Sequence, residues 1–330
     1  MQIMVWRKMR FVAMAAVTVL AVQAAWAQSD YFLWLNPKVN DFAFIGEADA
    51  AHYASADVDR RPSSLAMTKY TLRLRYPFAR TESSEWIGSL DVGVWDLEGA
   101  PKLQRSRTRL PGELYDLDAG ATYRRFLDNG WLVGGNLRLG SASDEPFTSF
   151  DETRLGGTGF VRIPHLEYTA WLLFLDADTG RDLPIVPGFG YQFPISKHAW
   201  AVVGVPILAA GGKIGEKVGF NAVYAITQGG HAEVSYAPIE SVKAYAGFDW
   251  DRKRFLLAGR DDSGDRLEFE EKRAYAGVEW AVTENWALDL GGGYAFDRSV
   301  SEGDDDHERN DTALDIEAGW FVRVGGALRF

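Results

Sequence analysis

Thr312-Ala-Leu-Asp-Ile-Glu-Ala-Gly-Trp-Phe-Val-Arg-Val-Gly-Gly-Ala-Leu-Arg-Phe330 closes the chain and decides its fold class. Every second residue is apolar: Leu314, Ile316, Ala318, Trp320, Val322, Val324, Leu328 and Phe330. Asp315, Glu317, Gly319, Arg323 and Arg329 fall between them. A period of two places alternate side chains on opposite faces of a β-strand, here one apolar and one polar. An edge strand of a soluble β-protein would show the same alternation.

The aromatic carboxyl-terminal residue, with Val322, Val324 and Leu328 at alternate positions before it, resembles the terminal targeting strand of bacterial outer-membrane β-barrels. The resemblance implies that Val322, Val324, Leu328 and Phe330 form the signal read by the barrel-assembly machinery.

The opposite end of the chain supports export. Arg7, Lys8 and Arg10 form a basic region, Phe11 to Ala24 is apolar, and Ala25-Trp-Ala27 is a small-x-small cleavage site. The apolar run is shorter than the roughly 20 residues a membrane-spanning helix needs. Residues 1–27 are expected to be a signal peptide and 28–330 a single barrel domain, and no Cys follows the run to anchor a lipoprotein.

Removing the three signal cations takes the formal charge from −11 to −14, which disfavours nucleic acid as a partner. The absence of Cys excludes disulfides, thiolate metal sites and a Cys nucleophile. Twelve Trp, 13 Tyr and 34 Gly suit a barrel with aromatic girdles and Gly-rich strands, and would also suit a secreted sandwich or propeller.

Alternation recurs along the chain. Tyr70, Leu72, Leu74 and Tyr76 share one face of the stretch 68–76, and Lys69, Thr71, Arg73 and Arg75 the other. The aromatics sit at the ends and the aliphatics between them, as on a lipid face crossing two interfaces. Residues 41–49, 86–94, 114–125 and 131–139 read as further strands, and 50–66 as a polar loop. In the middle, 155–163, 166–176, 188–193, 198–205, 218–226 and 231–236 are six further pieces, which together with the strands on either side of them, 286–296 included, make the chain's total odd if each is a strand. An odd total conflicts with both ends lying on one side, so one piece is expected to merge or be a loop.

Lys243-Ala-Tyr-Ala-Gly-Phe-Asp-Trp250 recurs as Arg273-Ala-Tyr-Ala-Gly-Val-Glu-Trp280. In both copies the cation, Tyr, Gly and acid share one face. Short turns alternate with long polar loops, the layout of outer-membrane barrels. At about 25 residues per strand and loop, the expectation is a transmembrane antiparallel up-and-down β-barrel of about 12 strands, within a range of about 10 to 14.

The block Arg273 to Trp280, with Trp286, Gly291 to Tyr294, Phe296-Asp-Arg298 and Phe330, resembles an uncharacterised family of bacterial outer-membrane barrels, as does Trp200-Ala-Val-Val-Gly-Val-Pro206. The likeness covers the second half well and the first half in pattern, and brings no catalytic residue with it.

The candidate lumen-lining residues are Lys69, Arg73, Arg75, Arg124 and Arg138, mostly cations, and Asp249, Glu279, Asp289, Asp315 and Glu317, with Arg323. They would pair into a closed polar core or line an open water path. No His among His52, His165, His198, His231 and His307 stands in a catalytic spacing, and His198 and His231 read as turn residues. Asp304-Asp-Asp306 with Glu308 lacks calcium-loop spacing and reads as a solvated loop. No enzyme, cofactor or metal site is expected.

The functional expectation is a passive outer-membrane channel for small hydrophilic or amphipathic solutes, among lipid and lipopolysaccharide. The alternatives are a closed structural or surface-interaction barrel and a lipid-modifying enzyme.

Overall fold

Alternation sets the strands, and Thr and Gly set the turns between them. In the turn 81–83 the Thr81 hydroxyl accepts from the backbone N–H groups of Ser83 and Ser84, and in the turn 282–285 Thr283 does the same for Asn285 and Trp286. Short hydroxyl side chains satisfy the turn backbone that no neighbouring strand can reach. In Leu127-Asp-Asn-Gly130 the turn closes at Gly130 with φ of 84°, which disfavours any Cβ.

The computed structural model describes residue 39 and residues 43–330, except 60–62, 100, 227–228, 261 and 263. The expected signal peptide lies outside the described residues. The first strands are β1 (Ile45–Asp57), β2 (Ser64–Arg80), β3 (Ser84–Glu98), β4 (Glu113–Phe126), β5 (Leu132–Ser143) and β6 (Thr153–Pro164). Next come β7 (Ala170–Asp178), β8 (Ile185–Ser196), β9 (Ala199–Val205), β10 (Ile207–Ile214), β11 (Val218–Ala225) and β12 (Gly229–Ile239). β13 (Val242–Phe255), β14 (Arg266–Ala281) and β15 (Trp286–Gly303) precede a short helix α1 (Asp306–Thr312), and β16 (Leu314–Ile316) and β17 (Gly319–Arg329) end the chain.

From β1 to β16 each strand pairs antiparallel with the next, and β17 returns to β1 with Arg329 opposite Ile45. β16 and β17 both pair with β15 and form one interrupted stave. The sheet is therefore a closed up-and-down barrel of 16 staves, not about 12. Closure leaves no unpaired edge, the condition for a sheet in lipid.

The discrepancy has a local origin. Ile207-Leu-Ala-Ala-Gly-Gly-Lys-Ile214, too rich in small residues to show alternation, is the strand β10. The odd total resolves by adding a strand rather than merging one. Residues 50–57, expected as loop, continue β1 because Ala51 and Tyr53 face a packed interior.

Outward-facing Leu72, Leu90, Leu137, Leu173, Val278, Leu290 and Val322 are exposed. Paired rings flank this band, with Trp86 on Tyr123 (centroids 4.8 Å) and Trp171 on Tyr191 (4.7 Å) towards the turns, and Tyr294 on Trp320 (5.0 Å) towards the loops. An apolar belt between aromatic girdles is the outer surface a membrane barrel needs.

The last stave changes phase at its break. Leu314 and Ile316 are buried, whereas Trp320, Val322 and Val324 point outward and Phe321 is buried. The unbroken alternation read from Leu314 to Val324 is thus two registers joined at Glu317-Ala318.

Candidate functional site: the lumen and its closed mouth

Sixteen staves would leave an aqueous channel if nothing filled it. Here the loop end is packed. Tyr53, Leu65, Met67, Trp95, Leu97, Phe255, Leu267 and Phe269 point inward and bury one another. Residues 101–112 fold onto them with Leu103 and Leu110, each almost fully buried. Within the loop the Leu103 N–H donates to the Thr108 carbonyl (2.9 Å) and the Leu110 N–H to the Pro101 carbonyl (2.9 Å). Burying each of these leucines is worth about 1.5–3 kcal/mol.

Polar contacts fasten the loops across the mouth. The carboxylate of Glu302, at the end of β15, accepts from the backbone N–H groups of Arg105 (3.1 Å) and Ser106 (3.2 Å) and from the Ser106 hydroxyl (2.7 Å). Arg105 also pairs with Glu308 and with Asp265 (3.3 Å). The Arg105 guanidinium and the Asp304 backbone N–H, the larger effect, hold the Glu308 carboxyl below the usual range.

The tightest closure joins opposite walls. β5 and β13 stand eight staves apart, yet the Leu256 N–H donates to the Ala142 carbonyl at 2.7 Å. The Ala258 N–H donates to Asp144 (2.9 Å), Arg260 to the Asp151 carbonyl (2.7 Å), and Lys253 pairs with Asp116. Asp182, between β7 and β8, receives Arg254 (3.3 Å) and Arg309 from the other side.

Beneath this lid lies a cavity of about 490 Å³. A continuous polar network runs from its wall into the packed mouth. Lys69 donates to Glu271 (2.6 Å) and lies over the Trp95 ring at 3.8 Å. Tyr53 also donates to Glu271 (3.1 Å), and Arg273 donates to the Tyr53 oxygen (2.9 Å) and to Asp249 (3.0 Å). His231 Nδ1 lies 2.6 Å from Asp249. Further along the wall, Arg154 bridges Asp116 (2.9 Å) and Asp118 (2.7 Å), and Arg138 lies 3.9 Å from both Asp176 and Asp178.

Six of the expected lumen residues line the cavity: Lys69, Arg73, Arg75, Arg138, Asp249 and Arg323. Three others lie elsewhere in the interior as pairs: Arg124 fully buried with Glu85, Glu279 with Lys243 (3.0 Å), and Asp289 with Arg323 (3.1 Å). Asp315 and Glu317 are exposed, because the phase of β16 turns Leu314 and Ile316 inward instead. Val322, Val324, Leu328 and Phe330, expected from the resemblance to form an assembly signal, all face outward and are exposed.

Sequence reasoning missed Glu271, Tyr53 and His231. Glu271 stands two residues before Arg273, so extending that strand's alternation would have placed it on the same face. His231 sits within β12, not in a turn, and only the pairing of β12 with β13 brings it to Asp249. His198 is exposed in the turn between β8 and β9. The carboxylates near 304 build a helix cap, with Asp305 accepting from the Glu308 N–H at 2.9 Å. Among the described residues no group of three or more His, Asp or Glu is placed to hold a metal ion.

No family model matches the chain, so the likeness to an uncharacterised barrel family stays a resemblance. No curated protein matches it. Among solved structures, the chain is similar to an outer-membrane channel from Pseudomonas putida F1, at 14% identity over 87% of this chain and 95% of that one, with a TM-score of 0.37. It is similar to a bacterial polysaccharide outer membrane secretin, at 10% identity over 89% and 100%, with a TM-score of 0.38. A third is the outer membrane protein Omp33 of Acinetobacter baumannii, at 8% identity over 87% and 99%, with a TM-score of 0.32. Likenesses this distant add nothing to what the barrel's own geometry says.

Proposed function

We propose that the chain is a barrel of the bacterial outer membrane that passes small hydrophilic or amphipathic solutes through a lumen shut at rest, rather than a permanently open porin. The observation that carries this reading is the hydrogen bond between Leu256 and Ala142, which ties diametrically opposite walls above a mid-barrel cavity. The apolar belt and its aromatic girdles support the membrane placement. Interior charges held in pairs support a shut lumen, because each pair keeps the next side chain from swinging into water.

The loops that close the mouth are also the part that can move, since loops open at lower free energy than the staves they join. Export through the periplasm, assembly through the outward face of β17, and contact with lipid and lipopolysaccharide belong to the same proposal. No step in it requires a catalytic residue, so the chain is read as a non-enzyme.

The test is swelling of vesicles carrying the refolded chain, with erythritol as solute. Slow swelling is expected for the natural chain, and faster swelling for Leu256→Pro, which removes the donor to Ala142, and for Leu103→Asp. Fast swelling of the natural chain would show an open pore. No gain in either variant, with the barrel folded, would favour the non-conducting structural or surface-interaction barrel.

A further inference from the structure

The hairpin that folds over the mouth is charged on its outer side. Lys102-Leu-Gln-Arg-Ser-Arg-Thr-Arg109 holds four cations and no acid, in a chain of formal charge −11. Leu103 and Leu110 are buried in the packed mouth, so Lys102 and Arg109, one residue out of phase with them, stand on the opposite face and are exposed. Arg107, at the tip, is exposed as well. Arg105 pairs with Glu308 and Asp265. The side chains of Lys102, Arg107 and Arg109 have no hydrogen-bond or ion-pair partner among the described residues.

Two features of this hairpin work against its own stability. Lys102 lies directly opposite Arg109. The bonds from the Leu103 N–H to the Thr108 carbonyl and from the Leu110 N–H to the Pro101 carbonyl flank that pair. It is therefore of the non-hydrogen-bonded kind, in which Cα atoms stand about 4.5 Å apart and side chains are closest. Like charges so placed repel. The second feature is Arg107, whose φ of 57° is a left-handed conformation that Gly adopts freely and an L side chain resists.

Both features are held in place from below. The Glu302 carboxylate accepts from the N–H groups of Arg105 and Ser106 and fixes the turn, and Leu103 and Leu110 anchor its base. A hairpin that did no more than cover the opening would be more stable with Gly at 107 and an acid opposite Lys102. Local rules are broken chiefly at functional sites, where the surroundings maintain the break. Here the breaks leave three unpaired cations together on the outer face of the lid.

We infer that the outer face of this hairpin is a binding site for a small soluble solute carrying two or three anionic groups, phosphate, sulfate or carboxylate. One group sits between Lys102 and Arg109 and relieves their repulsion. A second meets Arg107, two residues further along and so about 7 Å away. The ligand is a solute and not the lipopolysaccharide of the same membrane, because the hairpin runs over the opening to Glu302 and Asp265 and not outward to lipid. It is small, because exposed Asp304, Asp305 and Asp311 on the same mouth repel a long polyanion. The inference rests on the reading that the loop end faces the medium, and concerns capture at the mouth, not passage.

Calorimetric titration of the refolded chain in phosphatidylcholine nanodiscs, with tripolyphosphate as the probe, reads the site. One site is expected, weakened by added salt, and orthophosphate should bind at least about tenfold more weakly. Arg107→Gly should weaken tripolyphosphate about tenfold, the worth of one hydrogen bond to a charged group. Its urea midpoint should stay or rise, because Gly accepts the left-handed turn. A merely structural role for Arg107 would lower the midpoint together with the affinity. Arg109→Gln should weaken binding likewise, and Arg125→Gln, exposed at the turn end, should not.

No binding, equal binding of orthophosphate, or affinity unchanged in Arg107→Gly and Arg109→Gln would each overturn the site. Loss of tripolyphosphate binding when lipopolysaccharide is added to the nanodiscs would give the hairpin to the membrane's own phosphates and overturn the solute. Binding by a chain that passes no erythritol would keep the site and remove only the passage.

Discussion

Arg273 donates to Asp249 at 3.0 Å, and the mirror pair, Lys243 to Glu279, also measures 3.0 Å. The sequence repeat explains this. Its two copies lie on β13 and β14, antiparallel, so the cation opening each copy meets the acid near the end of the other. Tyr245 likewise faces Gly277, and Tyr275 faces Gly247. One eight-residue pattern thus makes two salt bridges and two ring-over-glycine contacts.

Reversing one charge of the repeat should therefore act through its partner copy. Glu279→Lys places two cations together in a largely buried pair and is expected to cost about 3 kcal/mol. The double variant Lys243→Glu with Glu279→Lys should recover most of it. Urea unfolding of the refolded barrel measures both, and additive losses in the double variant would refute the pairing.

The glycines of the repeat are spacing devices. A Cβ at Gly277 would meet the Tyr245 ring and hydroxyl at 2.2–2.4 Å and the Leu290 carbonyl at 2.8 Å. Gly277→Ala is expected to destabilise the barrel by about 1–3 kcal/mol. Gly259→Ala, with nothing within 4 Å, is the control and should leave the urea midpoint in place.

The strand residues of this repeat, and which of them face inward together, could be read from the chain. Its reciprocity could not, because consecutive antiparallel strands are expected of an up-and-down barrel but the register that sets Lys243 opposite Glu279 and Asp249 opposite Arg273 is not given by the spacing. The same limit hid the mouth. Leu103, Leu110 and Leu256 look like loop residues in sequence, and only the folding of 101–112 and 256–260 across the opening buries them. The strand count failed where side chains are smallest, at Ala209-Ala-Gly-Gly212, since alternation needs contrast between faces. Asp315 and Glu317 were misplaced because alternation alone does not reveal a break that resets its phase.

Acid should loosen the loop between β5 and β6. Hydrogen bonds to Glu152 from the Ser149 hydroxyl (2.6 Å) and backbone N–H (2.7 Å) and from Thr148 hold its carboxyl below the usual range. A depressed folded-state value adds stability that is complete above the unfolded value of about 4.3 and is lost as pH falls through the folded one. Pepsin cleavage in 144–152 should rise as pH drops below about 4. Glu152→Gln should cleave readily and almost without pH dependence in that window, and a natural chain equally resistant at pH 3 and 5 would contradict this.

Phe330 faces outward at the turn end, and its backbone exchanges hydrogen bonds with Phe44 (2.9 and 3.1 Å). Those bonds do not involve its ring. Phe330→Ala should therefore change the stability of the refolded barrel by less than about 1 kcal/mol while sharply reducing the amount assembled in cells. Equal assembly of both chains would deny the ring any role as a signal.

The closed mouth is tested most directly by single-channel recording of the refolded chain in a planar bilayer, beside Leu256→Pro. A shut lumen predicts long silent periods for the natural chain and frequent or sustained openings for the variant. Ion selectivity of those openings should shift on adding Arg73→Glu, since Arg73 lines the cavity. Steady conductance of the natural chain, unchanged when the donor to Ala142 is removed, would contradict the account.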